Sequence, residues 1–174
     1  PADRRAALAA SDTLRAMLVR RATTRDVAAI RALVDQYQGE VLLEKATVTL
    51  YEDVQEFWVA EDGGRVVGCG ALHVLWEDLG EIRTVAVDAS QKRRGVGGMV
   101  VDRLIEHGRD LGIGRIFVLT FETSFFASRG FREIEGTPVT PEASPRMARG
   151  AASHSNTTPS SSALATSRIA FLSW

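Results

Sequence analysis

Between Ser90 and Leu104 the chain reads SQKRRGVGGMVVDRL. Lys92, Arg93 and Arg94 run into Gly95, Gly97 and Gly98, and the apolar residues that follow recur at helical spacing. The first turn of a helix carries unpartnered backbone N–H groups and roughly half a unit of positive charge. Glycine lets a ligand oxygen reach those groups with no Cβ in the way. Cations, bare backbone and a helix start in one place make a cradle for a phosphate or diphosphate.

Two nucleotide readings of this turn fail. A P-loop ends in Gly-Lys-Ser/Thr, whereas Gly97-Gly98-Met99 stands here. A dinucleotide fingerprint needs a third glycine or alanine where Val100 stands. It also needs an acidic residue at the end of the next strand, which here runs into Thr120 and Phe121. A Gly-x-Gly turn is equally compatible with a purely structural role. The ligand must therefore be read from the elements around the turn.

Those elements begin near Met17, and residues 1–16 read as an N-terminal extension. LVRRAT (18–23) has strand character, and Thr23 with Asp26 forms a helix-start signature. Val27, Ile30, Leu33, Val34 and Tyr37 then follow at helical spacing. After a mixed segment of loop and short helix, EFWVAED and RVVGCGALHVLW flank Asp62-Gly63-Gly64 as a hairpin. GEIRTVAVD (80–88) is a strand leading into the cradle. The helix after Gly97 buries Val100, Val101, Leu104 and Ile105 and stops near Gly112. RIFVLT is a strand, TSFFASRG a short helix closed by Gly130, and FREIE a further strand. From Ala143 to Ala163 almost no large apolar side chain occurs, and such a segment buries too little surface to offset its ordering entropy. One mixed α+β domain is expected over 17–142. Residues 143–174 are expected as a low-complexity, disordered or divergent tail, with RIAFLSW as a short docked end.

Composition narrows the classes further. A net charge of −1 gives no global attraction to nucleic acid. A single cysteine excludes an internal disulfide framework and a cysteine-rich metal site. No apolar run reaches the roughly 18 residues of a membrane span, and the arginine-bearing N-terminus lacks the apolar core of a secretory signal. A cytoplasmic protein with no membrane and no nucleic-acid partner is expected.

TVAVD followed by KRRGVGG resembles the acetyl-coenzyme A signature of the GNAT acetyltransferase superfamily, with Lys92 in its Gln/Arg position. FFASRGF, ending in Gly130-Phe131, resembles the family's second landmark, and the element order fits over about residues 18–136. The resemblance implies a GNAT fold: a central, mostly antiparallel twisted sheet of about six or seven strands, splayed into a V and flanked by helices. It implies acetyl-coenzyme A as co-substrate, with no metal. Lys92, Arg93, Arg94, Gly95, Val96, Gly97 and Gly98 would hold the diphosphate. The backbone of Val85, Ala86 and Val87 would line the pantetheine arm, and Phe126 would form part of the cofactor wall.

Many relatives place a tyrosine where Phe126 stands, as general acid for the leaving thiolate; phenylalanine cannot donate that proton. The acetyltransferase domain of N-acetylglutamate synthases lacks it too, and VQEFWVAE, VVGCGALHV, GEIRTVAV and VLTFETSFFASRGF are similar to that domain's pattern. The implied reaction acetylates the α-amino group of glutamate or glutamine, the first step of arginine biosynthesis. An α-amino group with a pKa of roughly 8 or above is mostly protonated at neutral pH, so a base must act before attack. By resemblance Glu81 is that base and Thr120 the hydroxyl beside the sulfur. Lys45 and Arg83 are candidate partners for the acceptor's carboxylates, with Thr84 offering backbone contacts, and strand alternation sends Glu81 and Arg83 to one face. A protein, peptide or small-molecule amine as acceptor, or a catalytically weak acetyl-coenzyme A-binding module, are the alternatives, and a homodimer is left open. Cys69 reads as a strand packing residue; His73 could serve as a second base, but a partly buried strand histidine is the commoner reading. His107 sits on a helix and His154 in the tail, so neither belongs to a metal cluster.

Overall fold

The computed structural model describes residues 17–37, 47–134 and 168–173. In chain order its elements are β1 (Met17–Arg21), α1 (Val27–Asp35), α2 (Thr47–Glu52), β2 (Phe57–Asp62), β3 (Arg65–Trp76) and β4 (Leu79–Val87). They continue as α3 (Val96–Asp110), β5 (Arg115–Thr120), α4 (Thr123–Ala127), β6 (Arg132–Ile134) and β7 (Arg168–Ser173). The seven described strands form one open sheet in the order β1-β2-β3-β4-β5-β7-β6. Every pairing is antiparallel except that of β4 with β5.

Alternation along the central strands separates two cores. Phe57 and Val59 of β2 face α1 and α2, where Val27, Ile30, Val34 and Leu50 lie. Trp58 and Ala60 face α3, with Val100, Val101 and Leu104. A strand buried on both sides needs the unbroken apolar run that FWVA supplies. The β2–β3 turn takes positive φ at both Gly63 (57°) and Gly64 (80°), as a tight two-residue hairpin requires.

Within the segment expected as a low-complexity tail with a short docked end, Arg168–Ser173 does dock, and as an interior strand, paired along its whole length with β5 and, over three residues, with β6. It joins the sheet from beyond the boundary expected at 142. Residues 1–16, the segment holding Lys45, and 135–167 lie outside the described residues.

Two irregularities of β4 matter for function. Cys69 pairs with Ala86 but Ala71 with Arg83, so Thr84 and Val85 together oppose Gly70 in a β-bulge. Thr84 sits at φ 58°, in the left-handed region. The extra residue inverts the alternation: Ile82 is buried on the α3 side, whereas Ala86 is buried on the α1 side. In addition, β4 pairs with β5 only from Leu79 to Ile82. Beyond that point β5 follows β7, and the two strands part.

The α1 start is anchored by one buried carboxylate. Asp26 accepts from Arg20 Nη1 and Nη2 at 2.8 and 2.9 Å, and from the Thr23 amide and hydroxyl at 2.7 and 2.9 Å. The Arg20 hydrogen bonds, reinforced by Thr23 against the opposing effect of burial, hold its pKa down to about 2. A depression of that size contributes roughly 2 kcal/mol to stability above the ordinary carboxylate range, lost as pH falls toward the folded value. Asp26→Asn should therefore destabilise the protein by about 1–3 kcal/mol at pH 7. In urea melts the gap to wild type should close between about pH 4 and pH 2; a gap that stays constant over that range would disprove the assignment.

Candidate active site

The cradle is built where β4 hands over to α3. The Asp88 side chain accepts from the Ser90 amide at 2.9 Å and starts a 3-10 turn over Ala89–Gln91. Arg93 (φ 65°) and Gly95 (φ 82°) then turn the chain into α3. Gly95 is the N-cap, and Met99 N–H makes the first helical bond to its carbonyl at 3.0 Å. The N–H groups of Val96, Gly97 and Gly98 precede that bond and point out of the helix end. A Cβ at Gly95 would meet nothing within 4 Å, so its φ, not crowding, calls for glycine.

Glycine does other work at the sheet. A Cβ at Gly68 would lie 2.7 Å from Val96 Cγ1, and one at Gly70 would lie 2.9 Å from Val100 Cγ1. Those bare positions on β3 let α3 lie close, which fixes its N-terminus against the end of β4.

Lys92 and Arg94 of the turn have contacts of their own. Lys92 places its ammonium 5.0 Å over the Tyr37 ring, and Arg94 bonds the Gln91 side chain and lies 3.8 Å from Asp62. Arg129, which the sequence reading passed over, lies across the first turn of α3. It pairs with Asp102 at 3.0 Å and covers the Phe125 ring at 4.5 Å, and a Cβ on Gly98 would fall 1.9 Å from its Nη2. Phe126 packs edge-on between Phe125 and Phe131 in the core. Phe125, rather than Phe126, is the ring that borders Gly97.

Val85 and Val87 have the orientation a bound chain needs. Asp88 N–H bonds Val67 O at 2.9 Å and Ala86 pairs with Cys69, so these two direct their backbone groups toward β3. Alternation turns those of Val85 and Val87 the other way, to the side from which β5 has parted. The C-terminal end of α1 braces this edge: Tyr37 Oη donates to Val87 O at 2.5 Å, and Gln36 Oε1 accepts from Ala89 N–H at 3.2 Å. Nothing in the sequence spacing signalled Tyr37 beyond its helical face.

On the α1 face of β4, at the base of the opening, stand Glu81 and Arg83, both half-buried. Ile82 between them points into the α3 core. Two further groups join them. Glu56, in the 3-10 turn before β2, reaches His73 Nδ1 with Oε1 at 2.6 Å and Arg83 Nη2 with Oε2 at 3.5 Å. His73 is the cross-strand partner of Glu81. Thr120 lies across the opening on β5, buried on the α3 side, its Oγ1 accepting from Glu122 N–H at 2.9 Å. Thr84 forms the bulge itself.

A glycine-lined helix start, a free strand edge and a parted parallel pair in one sheet correspond to a known architecture. Residues 27–133 match the acetyltransferase (GNAT) family. The chain belongs to that family. It is 64% identical over 135 residues to an amino-acid acetyltransferase of Mycobacterium tuberculosis, covering 76% of this chain and 78% of that protein. A crystal structure of a protein from the same organism, in complex with CoA and NLQ, superposes with a TM-score of 0.79 at 53% identity, over 90% of this chain and 99% of that one. N-acetylglutamate synthase from Neisseria gonorrhoeae, complexed with coenzyme A and N-acetyl-glutamate, gives a TM-score of 0.71 at 27% identity. This GNAT chain spans 34% of that enzyme's length.

Among the described residues no three His, Cys, Asp or Glu side chains converge as a metal site would require, and no described helix is long and apolar enough to cross a membrane. Cys69 is fully buried, and burial pushes its thiol up to about 12, so it holds no thiolate for covalent transfer. Iodoacetamide should leave the native protein unlabelled and react only after unfolding, and Cys69→Ala should keep acetyl transfer within about threefold of wild type. Rapid native labelling, or loss of transfer in the variant, would reinstate a thiol mechanism.

Proposed function

We propose that this GNAT acetyltransferase moves the acetyl group of acetyl-coenzyme A to the α-amino group of glutamate or glutamine, the first step of arginine biosynthesis. The observation that carries this reading is the placement of Glu81 and Arg83 side by side at the base of the β4–β5 opening. A base and a fixed guanidinium at that spacing match an acceptor whose amine and carboxylate share one carbon. The relatives' names and ligands point the same way.

Each residue then has a task. The N–H groups of Val96, Gly97 and Gly98 would bind the diphosphate, with positive charge from Lys92, Arg93 and Arg94 around it. The outward backbone groups of Val85 and Val87 would bond the pantetheine amides, held in register by Tyr37. When bound, acetyl-coenzyme A supplies the activated thioester. Glu81 takes a proton from the acceptor's ammonium, directly or through water, and so frees the nitrogen lone pair for attack on the thioester carbon. Arg83 pairs with the acceptor's carboxylate, braced from behind by Glu56. Lys45 is the proposed second cation, for a side-chain carboxylate. Thr120 is the proposed hydroxyl donor toward the departing sulfur. Transfer is direct, in keeping with the buried Cys69.

A second reading, with a peptide as acceptor, draws on the exposed apolar run Val74, Leu75 and Trp76 just beyond His73. A screen of free amino acids and short peptides, read by thiol release, separates the two. Release with glutamate or glutamine is expected; release with peptides alone would overturn the proposal. Glu81→Gln should lower turnover about 10²- to 10³-fold at pH 7, and the deficit should narrow as pH rises past the amine's own pKa. A parallel pH profile would remove Glu81 from the reaction.

A further inference from the structure

Glu81 cannot keep the proton it takes, and the structure offers it a way out. His73 lies opposite Glu81 in the antiparallel β3–β4 pair, which sets their Cβ atoms about 5 Å apart on the same face. An imidazole and a carboxylate at that spacing meet directly or through one water. The His73 ring is bonded on its other side: Nδ1 lies 2.6 Å from Glu56 Oε1. A carboxylate only accepts, so the shared proton belongs to Nδ1, and Nε2 is the nitrogen left to exchange a proton. The side chain of His73 is 32% exposed and that of Glu56 only 20%. Glu56 Oε2 is buried without a hydrogen bond, with Arg83 as its charge partner at 3.5 Å. Such a held, partly wet imidazole beside a base is more than strand packing requires.

We infer that His73, oriented by Glu56, relays the acceptor's proton from Glu81 to solvent. The inference rests on the reading of Glu81 as the base. The proton passes from the ammonium to a Glu81 oxygen and then to His73 Nε2, while Nδ1–H stays on Glu56. The resulting imidazolium, stabilised by the Glu56 carboxylate, gives its Nε2 proton to water, and Glu81 is ready for another turnover. No electron changes hands. Among the described residues, the charged groups on the side of His73 are Glu56 from the turn before β2, and Glu81 and Arg83 from β4. The buried residues of α1 on this side of the sheet are Val27, Ile30, Leu33 and Val34, all uncharged. Glu56 is a positioning residue, acting on His73 and Arg83 at once.

The test uses the full chain and three variants, His73→Ala, His73→Gln and Glu56→Gln, with glutamate and glutamine as acceptors. Thermal melting and calorimetric coenzyme A binding serve as controls for folding. His73→Ala should lose about 10- to 100-fold in kcat at pH 7 while its KM for acetyl-coenzyme A stays within about twofold. Free imidazole in the buffer should restore several-fold of the lost rate, which a merely structural ion pair would not allow. Glu56→Gln should show a smaller loss of kcat together with a raised KM for the acceptor, because Arg83 loses its brace. If His73→Ala does not fold, His73→Gln carries the same expectation for kcat. Wild-type rates in the folded His73 variants, or a loss that imidazole leaves untouched, overturn the relay. A wild-type chain that acetylates no amino acid overturns the underlying reading and the relay with it, and is recognised before any variant is measured.

Discussion

β4 is hydrogen-bonded to β5 over four residues and then released, and the site depends on that partial pairing. A sheet normally satisfies both edges of an interior strand, since a buried backbone polar group without a partner costs free energy. Here the edge of Val85 and Val87 is turned toward a gap, directly before the helix that carries the glycine cradle. The bulge at Thr84 contributes to the same end. A threonine held at φ 58° stores on the order of 1–3 kcal/mol of backbone strain. That strain is offset by the packing on both sides: Ile82 is clamped into the α3 core and Ala86 into the α1 core. A regular strand would put Ile82 and Ala86 on one face, and one of the two cores would lose its member.

The strand edge is useful only if the helix start is held beside it, and small residues achieve this from three directions. Gly68 and Gly70 on β3 lie under Val96 and Val100 of α3, and Gly108 on α3 lies over Ile116 of β5. Each added Cβ would come within 3 Å of a side chain packed in the core, so the helix sits at a distance only glycine permits. Gly98 is different. Its missing side chain makes room for the Arg129 guanidinium, anchored on Asp102 and Phe125. The glycines of the cradle thus differ: Gly95 is required by its backbone conformation, Gly98 leaves room for the Arg129 guanidinium, and a Cβ at Gly97 would make only ordinary contact with Val87 and Phe125.

Local signals in the sequence were informative wherever the chemistry was local. The capping pair Thr23–Asp26, the Gly63-Gly64 hairpin, the amphipathic α3 and the Gly-x-Gly turn all depend on residues within a few positions of one another, and each formed at its expected place. Long-range geometry was not legible. Glu56 meets His73 from 17 positions away, and nothing in the neighbourhood of QEFW marks it as other than a solvated strand-end carboxylate. Tyr37 reads as one more apolar position on α1, yet its hydroxyl holds Val87, 50 residues on. That the docked RIAFLSW end becomes an interior strand was not legible for a related reason. Six residues carry little pattern of their own, and they become a strand because β5 and β6 each offer an edge. His73 was read as packing sooner than as a second base, because a histidine in an apolar run usually is; its pairing with Glu81 and Glu56 shifts that balance.

The α1 face of β3 and β4 carries two carboxylates, a guanidinium and an imidazole in a small area, and their arrangement has a physical logic. Arg83 Nε and Glu56 Oε2 are both buried without a hydrogen bond, although their side chains are charge partners. A fully bonded Arg83–Glu56 pair would be more stable in isolation but would leave the guanidinium fewer N–H groups to offer a ligand. Holding the two at 3.5 Å keeps the charges balanced while leaving hydrogen-bonding capacity in reserve. A carboxylate ligand that bonded Arg83 would then satisfy a donor already removed from water, and little desolvation cost would remain to be met at binding. The same Glu56 spends its other oxygen on His73. One side chain therefore ties Arg83 to His73, so under the proposed mechanism carboxylate binding and proton transfer would be linked through a single fixed carboxylate.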